Sequence, residues 1–173
     1  SNPQIAIADV KTITDIAKKY KIATICDNTV ATPILYRPFD FGVDISVHSL
    51  TKYINGHGSG LGGAVIEREG LNELIKGNPR YPAFNTPDES YHGLVYANLP
   101  LPIFSIRIIT EWLRNIGATL SPQNAWIHFQ GLETLELRIQ KHSDSALEIA
   151  KFLESHKHVK EVSYPGLPSS PYH

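Results

Sequence analysis

The chain has 173 residues, a single cysteine (Cys26) and no methionine. One thiol cannot build a disulfide framework, so a reducing compartment is the reading that follows. A charge excess is also missing. Lys and Arg number 16 against 17 Asp and Glu, a net charge of -1, which gives no electrostatic case for nucleic acid or an acidic membrane surface. No apolar run approaches the roughly 20 residues of a membrane-spanning helix. No secretory leader and no Asn-x-Ser/Thr site are recognisable, so a cytoplasmic protein is expected. Without methionine, and opening on turn-forming Ser1-Asn2-Pro3, the chain reads as a piece of something longer. What is present is 42% apolar residues, enough for one sizeable domain or a domain plus part of another.

Apolar residues from Ile5 to Ala17 recur at three- and four-residue steps and predict a helix over 5–20. Ile22 to Cys26 is a short β-branched run ending in Asp27-Asn28-Thr29, and Asp44 to His48 is a second, followed by Ser49-Leu50-Thr51-Lys52. Helix, turn and buried strand in succession is the pattern of an α/β protein with a mostly parallel sheet. Ligands of such sheets bind beyond the carboxyl ends of the strands, which is where Asp27 and Lys52 fall. Gly63 to Ile66 predicts a third strand and residues 68–76 a short helix. Residues 77–101, with Pro79, Pro82, Pro87 and Pro100, read as a long ordered loop. A helix over 104–116 ends at Gly117, and Ser121-Pro122 opens another. A long amphipathic helix then runs to about Ser155, and residues 159–164 read as a strand.

Two motifs lack the context they require. Gly58-Ser59-Gly60-Leu61-Gly62-Gly63 matches a dinucleotide fingerprint, but a strand follows it where a helix is needed. Ser49-Leu50-Thr51-Lys52 matches the S-x-x-K of serine acyl enzymes without their companion motifs. The eight histidines include His156-x-His158 but no zinc-type motif, so surface or supporting roles are expected and no metal site. A third chemistry is that of pyridoxal phosphate (PLP). It needs a lysine amine for the cofactor aldehyde, an acid for its ring nitrogen and hydroxyls for its phosphate. Lys52, Asp27, Ser49 and Thr51 are residues of those types at strand ends, although a lysine and an aspartate there are more often caps or solvated side chains.

Larger blocks of sequence narrow that choice. Asp27-Asn28-Thr29-Val30-Ala31-Thr32-Pro33, then Val47-His48-Ser49-Leu50-Thr51-Lys52-Tyr53, then Gly56-His57-Gly58 resemble the signature of the Cys/Met-metabolism PLP enzymes. Ser1-Asn2-Pro3, Ser121 to Ala125, Gly131 to Leu135 and Tyr164 to Leu167 are similar to further blocks of that family in the same order. The resemblance implies a fold-type-I transferase. Residues 1–118 would be the later part of the PLP-binding large domain, and 119–173 a linking helix and the start of a C-terminal α+β domain. It also implies roles. Lys52 would be the lysine joined to the cofactor, which then shuttles protons. Asp27 would partner the ring nitrogen, Asn2 the ring hydroxyl, and Ser49 and Thr51 the phosphate.

Within the family, residues 79–102 and Gln130-Gly131-Leu132-Glu133-Thr134-Leu135 resemble the O-acetylhomoserine sulfhydrylase branch. The implied reaction is γ-replacement: acetate leaves O-acetylhomoserine, and sulfide or methanethiol adds to give homocysteine or methionine. A cystathionine γ-synthase or a γ- or β-lyase is the alternative within the family. A non-catalytic piece acting only by association is the alternative outside it. The resemblance implies a small amino-acid substrate, a homotetramer, and a chain inactive in isolation because family members are longer at both ends.

Overall fold

The computed structural model describes residues 5–173. Helix α1 (Val10–Lys19) begins later than its apolar periodicity suggests, because Asp9 caps it by accepting the Thr12 N–H. Lys18 and Lys19 lie in its last turn, where positive charge suits the helix dipole. Its expected core stripe is not what it buries. Ile13 and Ile16 are exposed, and Thr14 and Ala17 are buried. The Thr14 hydroxyl donates to the Phe41 carbonyl at 2.7 Å, which turns that face inward.

Three strands follow: β1 (Ile25–Asp27), β2 (Ile45–Ser49) and β3 (Gly63–Glu67), in the order β1-β2-β3. β1 and β2 are parallel, with Ile25, Cys26 and Asp27 beside Ile45, Ser46 and Val47. The connection between them includes helix α2 (Thr32–Leu35) and a 3-10 turn, Pro38–Phe41, where the sequence suggested an irregular link. β3 runs antiparallel to β2, so this part of the sheet is mixed, where a mostly parallel one was expected. The reason lies in the connection. A parallel return needs a crossover, usually helical, and residues 50–62 contain no helix.

One core lies against the sheet, where Ile45 packs with Leu71 and Ile75 of helix α3 (Leu71–Ile75), with Tyr96, and with Ile103. The proline-rich segment belongs to this core. It carries helix α4 (Pro82–Asn85) and two 3-10 turns, and the Tyr96 hydroxyl bonds Asp88 at 3.0 Å and Thr110 at 2.7 Å. Burying an aromatic ring with its polar end satisfied makes the segment structural rather than a surface ornament.

Residues Ile103–Arg107 (α5), a π-helical turn (Ile108–Leu113) and Arg114–Ile116 (α6) form the next helix, which ends at Gly117 with φ +72°. Ser121 caps α7 (Pro122–Glu133), and Thr134 separates it from α8 (Leu135–Glu154). Leu135 and Ile139 of α8 bury Ile54 in a second, smaller core. Residues 159–164 are not a strand. Among the described residues nothing pairs with them, and without a ladder a β-rich sequence stays irregular.

Candidate functional site

The site lies at the ends of β1 and β2, on the edge where parallel strands deliver their carboxyl termini. Asp27 is the last residue of β1 and Ser49 the last of β2. A short chain of hydrogen bonds joins them. The Thr29 N–H donates to Asp27 Oδ1 at 3.0 Å, and the Ser49 N–H donates to Thr29 Oγ1 at 2.8 Å. The Lys52 N–H then donates to the Ser49 carbonyl at 3.3 Å. The structure thus brings Asp27, Ser49 and Lys52 into one bonded edge. Thr29, the connector, was not singled out as a site residue from sequence, although it lies within the quoted Asp27-to-Pro33 block.

Thr51 is held differently. Its hydroxyl donates to the Gly62 carbonyl at 3.3 Å and accepts the Gly62 N–H at 3.1 Å. A hydroxyl has one proton, so Thr51 can donate to a phosphate only by releasing the longer of these bonds. Among the described residues the Ser49 hydroxyl has no such tie. Asn2 lies outside the described residues.

Electrostatics at this edge follow from the same contacts. The Thr29 hydroxyl and then the Thr29 N–H draw the Asp27 pKa below the usual carboxylate value, against a small effect of burial, with a further lowering from His48. Asp27 is therefore a carboxylate, the form that pairs with a protonated ring nitrogen. His48, on β2, is buried and its pKa is lowered by that burial, with Asp27 opposing. Lys52 is exposed and joins no ion pair among the described residues.

The glycine-rich segment is organised by a single side chain. Fully buried Asn55 accepts the His57 N–H at 3.0 Å and the Ser59 hydroxyl at 3.2 Å, and donates to the Gly60 carbonyl at 3.4 Å. Buried Thr32 takes a φ of +57°, a left-handed conformation that costs a β-branched residue about 1–3 kcal/mol and gathers at functional sites. Neither was singled out as a site residue from sequence, because one polar residue among glycines and one threonine before a proline carry no pattern.

Several buried polar atoms here have no partner among the described residues: Tyr36 Oη, His48 Nδ1 and both ring nitrogens of His128. His48 and His128 are thus buried, so of the surface or supporting roles expected for the histidines neither takes the surface one. Among the described residues no three His, Cys, Asp or Glu side chains are arranged for a metal ion.

Known proteins show the family of the chain. The family model for Cys/Met metabolism PLP-dependent enzymes matches residues 1–173. The chain belongs to that family. It is 41% identical to an O-acetyl-L-homoserine sulfhydrylase of Corynebacterium glutamicum, covering 100% of this chain and 40% of that protein. It is 40% identical to a homocysteine/cysteine synthase of Kluyveromyces lactis, covering 99% and 39%. A crystal structure from Campylobacter jejuni, assigned as an O-acetylhomoserine (thiol)-lyase and carrying a pyridoxyl-lysine phosphate, superposes with a TM-score of 0.97 at 63% identity, over 100% of this chain and 43% of that one. A cystathionine γ-synthase structure from Xanthomonas oryzae gives a TM-score of 0.74 at 34% identity, covering 99% and 36%.

The chain therefore spans about 40% of the length of the curated relatives it matches, and its fold is that of part of a fold-type-I enzyme. The donor set suits the family's PLP cofactor: Asp27 with its ionised carboxylate, Ser49 with a hydroxyl and Lys52 with a primary amine share one hydrogen-bonded strand edge through their backbones.

Proposed function

We propose that the protein to which this chain belongs catalyses γ-replacement on O-acetylhomoserine. Sulfide or methanethiol takes the place of acetate, and homocysteine or methionine results. The observation that carries the proposal is the bonded edge Asp27–Thr29–Ser49–Lys52, which sets an ionised acid and a primary amine at adjoining strand ends. Relatives named as sulfhydrylases and homocysteine synthases support the choice of reaction. Bound PLP supplies an electron sink for the pair released when a proton leaves the substrate.

The chain's own residues then have distinct tasks. Asp27 holds a proton on the ring nitrogen by a charge-assisted hydrogen bond. Ser49 donates to the phosphate, and Thr51 joins it when its bond to Gly62 opens. Asn2 serves the ring hydroxyl. Lys52 Nζ would hold the cofactor and, when free, would carry protons at the substrate's α- and β-carbons. That work needs an amine buried away from bulk water. Lys52 is exposed in this chain, so the remainder of the protein supplies that burial. The 173-residue chain alone is accordingly inactive.

Residues 1–118 belong to the large domain in this reading, and residues 119–173 begin the C-terminal one. The whole protein is a cytoplasmic homotetramer acting on a small amino acid. No described helix is long and apolar enough to cross a membrane, and the net charge of -1 favours neither nucleic acid nor an anionic surface.

The test uses the full-length protein. Acetate and homocysteine should form from O-acetylhomoserine and sulfide, and Lys52→Ala should abolish both that activity and the visible absorption of bound cofactor. Cystathionine formed with cysteine, and no reaction with sulfide, would move the assignment to a cystathionine γ-synthase. A wild-type protein that binds no cofactor would leave only an associating role.

A further inference from the structure

The backbone immediately after Lys52 makes a turn that α7 and α8 hold from outside. Glycine lets them come close. A Cβ on buried Gly131 of α7 would sit 2.2 Å from the Ile54 carbonyl oxygen and 2.5 Å from that of Asn55. Those are backbone atoms and cannot step aside, so Gly131 is required for helix and turn to touch.

At that contact the Arg138 side chain, from α8, uses its whole fork. Nη1 donates to the Tyr53 carbonyl at 2.7 Å, and Nη2 donates to the Gly131 carbonyl at 2.7 Å and to the Ile54 carbonyl at 3.3 Å. Nε donates to the Thr134 hydroxyl at 3.0 Å. Gly131 lies in the last turns of α7, where helix carbonyls lack an intrahelical donor. Tyr53 and Ile54 are the two residues that follow Lys52. One guanidinium therefore ties the end of a helix to the turn that presents the lysine. Gly56 leaves room for it: a Cβ there would be 2.4 Å from Arg138 Nη1. The same turn is closed internally by the Gly56 N–H donating to the Lys52 carbonyl at 2.8 Å.

We infer that Arg138 is a positioning residue for Lys52: its fork on the Tyr53, Ile54 and Gly131 carbonyls fixes the backbone from which the amine is aimed. Arg138 touches no reacting atom in this arrangement, and the inference rests on the proposed role of Lys52. A lysine side chain is a long lever, so a small rotation of the turn moves Nζ far. A misplacement of about 1 Å at a reacting group can cost about a hundredfold in rate. A lysine at 138 could satisfy one carbonyl but could not span all three, because an ammonium lacks the planar fork.

The experiment compares the full-length wild type with Arg138→Ala and Arg138→Lys. It measures kcat and KM per bound cofactor, the circular dichroism of the cofactor's visible band, and the thermal midpoint. Arg138→Ala is expected to lower kcat about ten- to a hundredfold, to leave KM within about twofold, and to weaken the visible dichroism. Arg138→Lys should fall between. A lower thermal midpoint with kcat and dichroism unchanged would reduce Arg138 to a structural tie and overturn the inference. If Arg138→Ala does not fold, Arg138→Lys decides: wild-type kcat and dichroism in that variant refute the need for the fork. Failure of the functional reading looks different. It appears in the wild type as a missing cofactor band, or in Lys52→Ala as a band that persists.

Discussion

The two ends of the same small sheet are built on opposite principles. At the end where β1 and β2 begin, buried Asp44 is fully engaged. It accepts from the Thr24 N–H at 2.8 Å, from the Thr24 hydroxyl at 2.9 Å and from Arg68 Nε at 2.7 Å. Its own N–H donates to Thr24 Oγ1 at 3.1 Å. Three segments that meet there are sewn together with every partner supplied. At the other end, Asp27 and Lys52 are exposed and Ser49 is half-buried, and buried His48 keeps a ring nitrogen without a partner among the described residues. Burying a polar atom without a partner costs about 1–3 kcal/mol, and here the cost falls beside the edge proposed to hold the cofactor. One end holds the fold, and the other is left with groups to spend on chemistry.

Exchanging the aspartates' fates is the sharpest way to break this contrast. Asp27→Asn in the full-length protein keeps the size and hydrogen bonding of the side chain and removes its charge. Loss of one preorganised electrostatic partner typically costs about 10²–10³ in kcat, and that is the expected effect. Asp27 is exposed in this chain, so the thermal midpoint at neutral pH should barely move. A variant with near-wild-type kcat would remove Asp27 from the catalytic edge.

Asp44→Ala should do the reverse. It strips the Thr24 N–H, the Thr24 hydroxyl and the partly buried Arg68 of their shared acceptor. Hydrogen bonds to a charged group are worth about 1.5–3 kcal/mol. A stability loss of about 2–3 kcal/mol, read as a lower denaturant midpoint, should accompany an unchanged kcat per folded protein. A large fall in kcat without loss of stability would mean that the two ends are not separable in this way.

How much of this was legible in the sequence differs between the two ends. Asp27, Ser49, Thr51 and Lys52 stood out because strand-end chemistry and a family signature coincide on them. Fold class followed from the helix–strand alternation, and the fold carries it. Asp44 was passed over, since an aspartate at the start of an apolar run looks like a turn residue until Thr24 and Arg68 are brought to it by the sheet. The direction of β3 was missed for a related reason. Apolar spacing marks a strand but not which way it runs, and the absence of a crossover helix in residues 50–62 decided that. Arg138 lies 85 residues from Tyr53, so their contact exists only after folding.

The pH response should sharpen the contrast further. Burial holds the His48 pKa below its ordinary value of 6.5, with Asp27 opposing. Between that lowered folded value and 6.5 the unfolded chain binds more protons, so stability rises with pH there and falls as pH drops below 6.5. The thermal midpoint of the full-length protein should therefore decline between pH 7 and pH 5, and His48→Asn should decline less over the same interval. Equal declines would show that His48 is not a source of the dependence.

The smallest effect reads the charge of Asp27 without any cofactor. Cys26 precedes it on β1, partly buried, and its thiol pKa is raised by burial and then by the Asp27 carboxylate. Since the thiolate is the nucleophile, Cys26 should be alkylated at pH 8 more slowly in the folded full-length apoprotein than after denaturation. Asp27→Asn removes the second cause and leaves the first. The folded variant should therefore react faster than the folded wild type, while the two denatured proteins differ far less. The comparison isolates the field of one carboxylate from the packing around it. That field, which slows the thiol, is what would hold a proton on a ring nitrogen at the same strand end. Equal rates in the two folded proteins would mean that solvent screens the carboxylate within one residue, too strongly for Asp27 to perform that task.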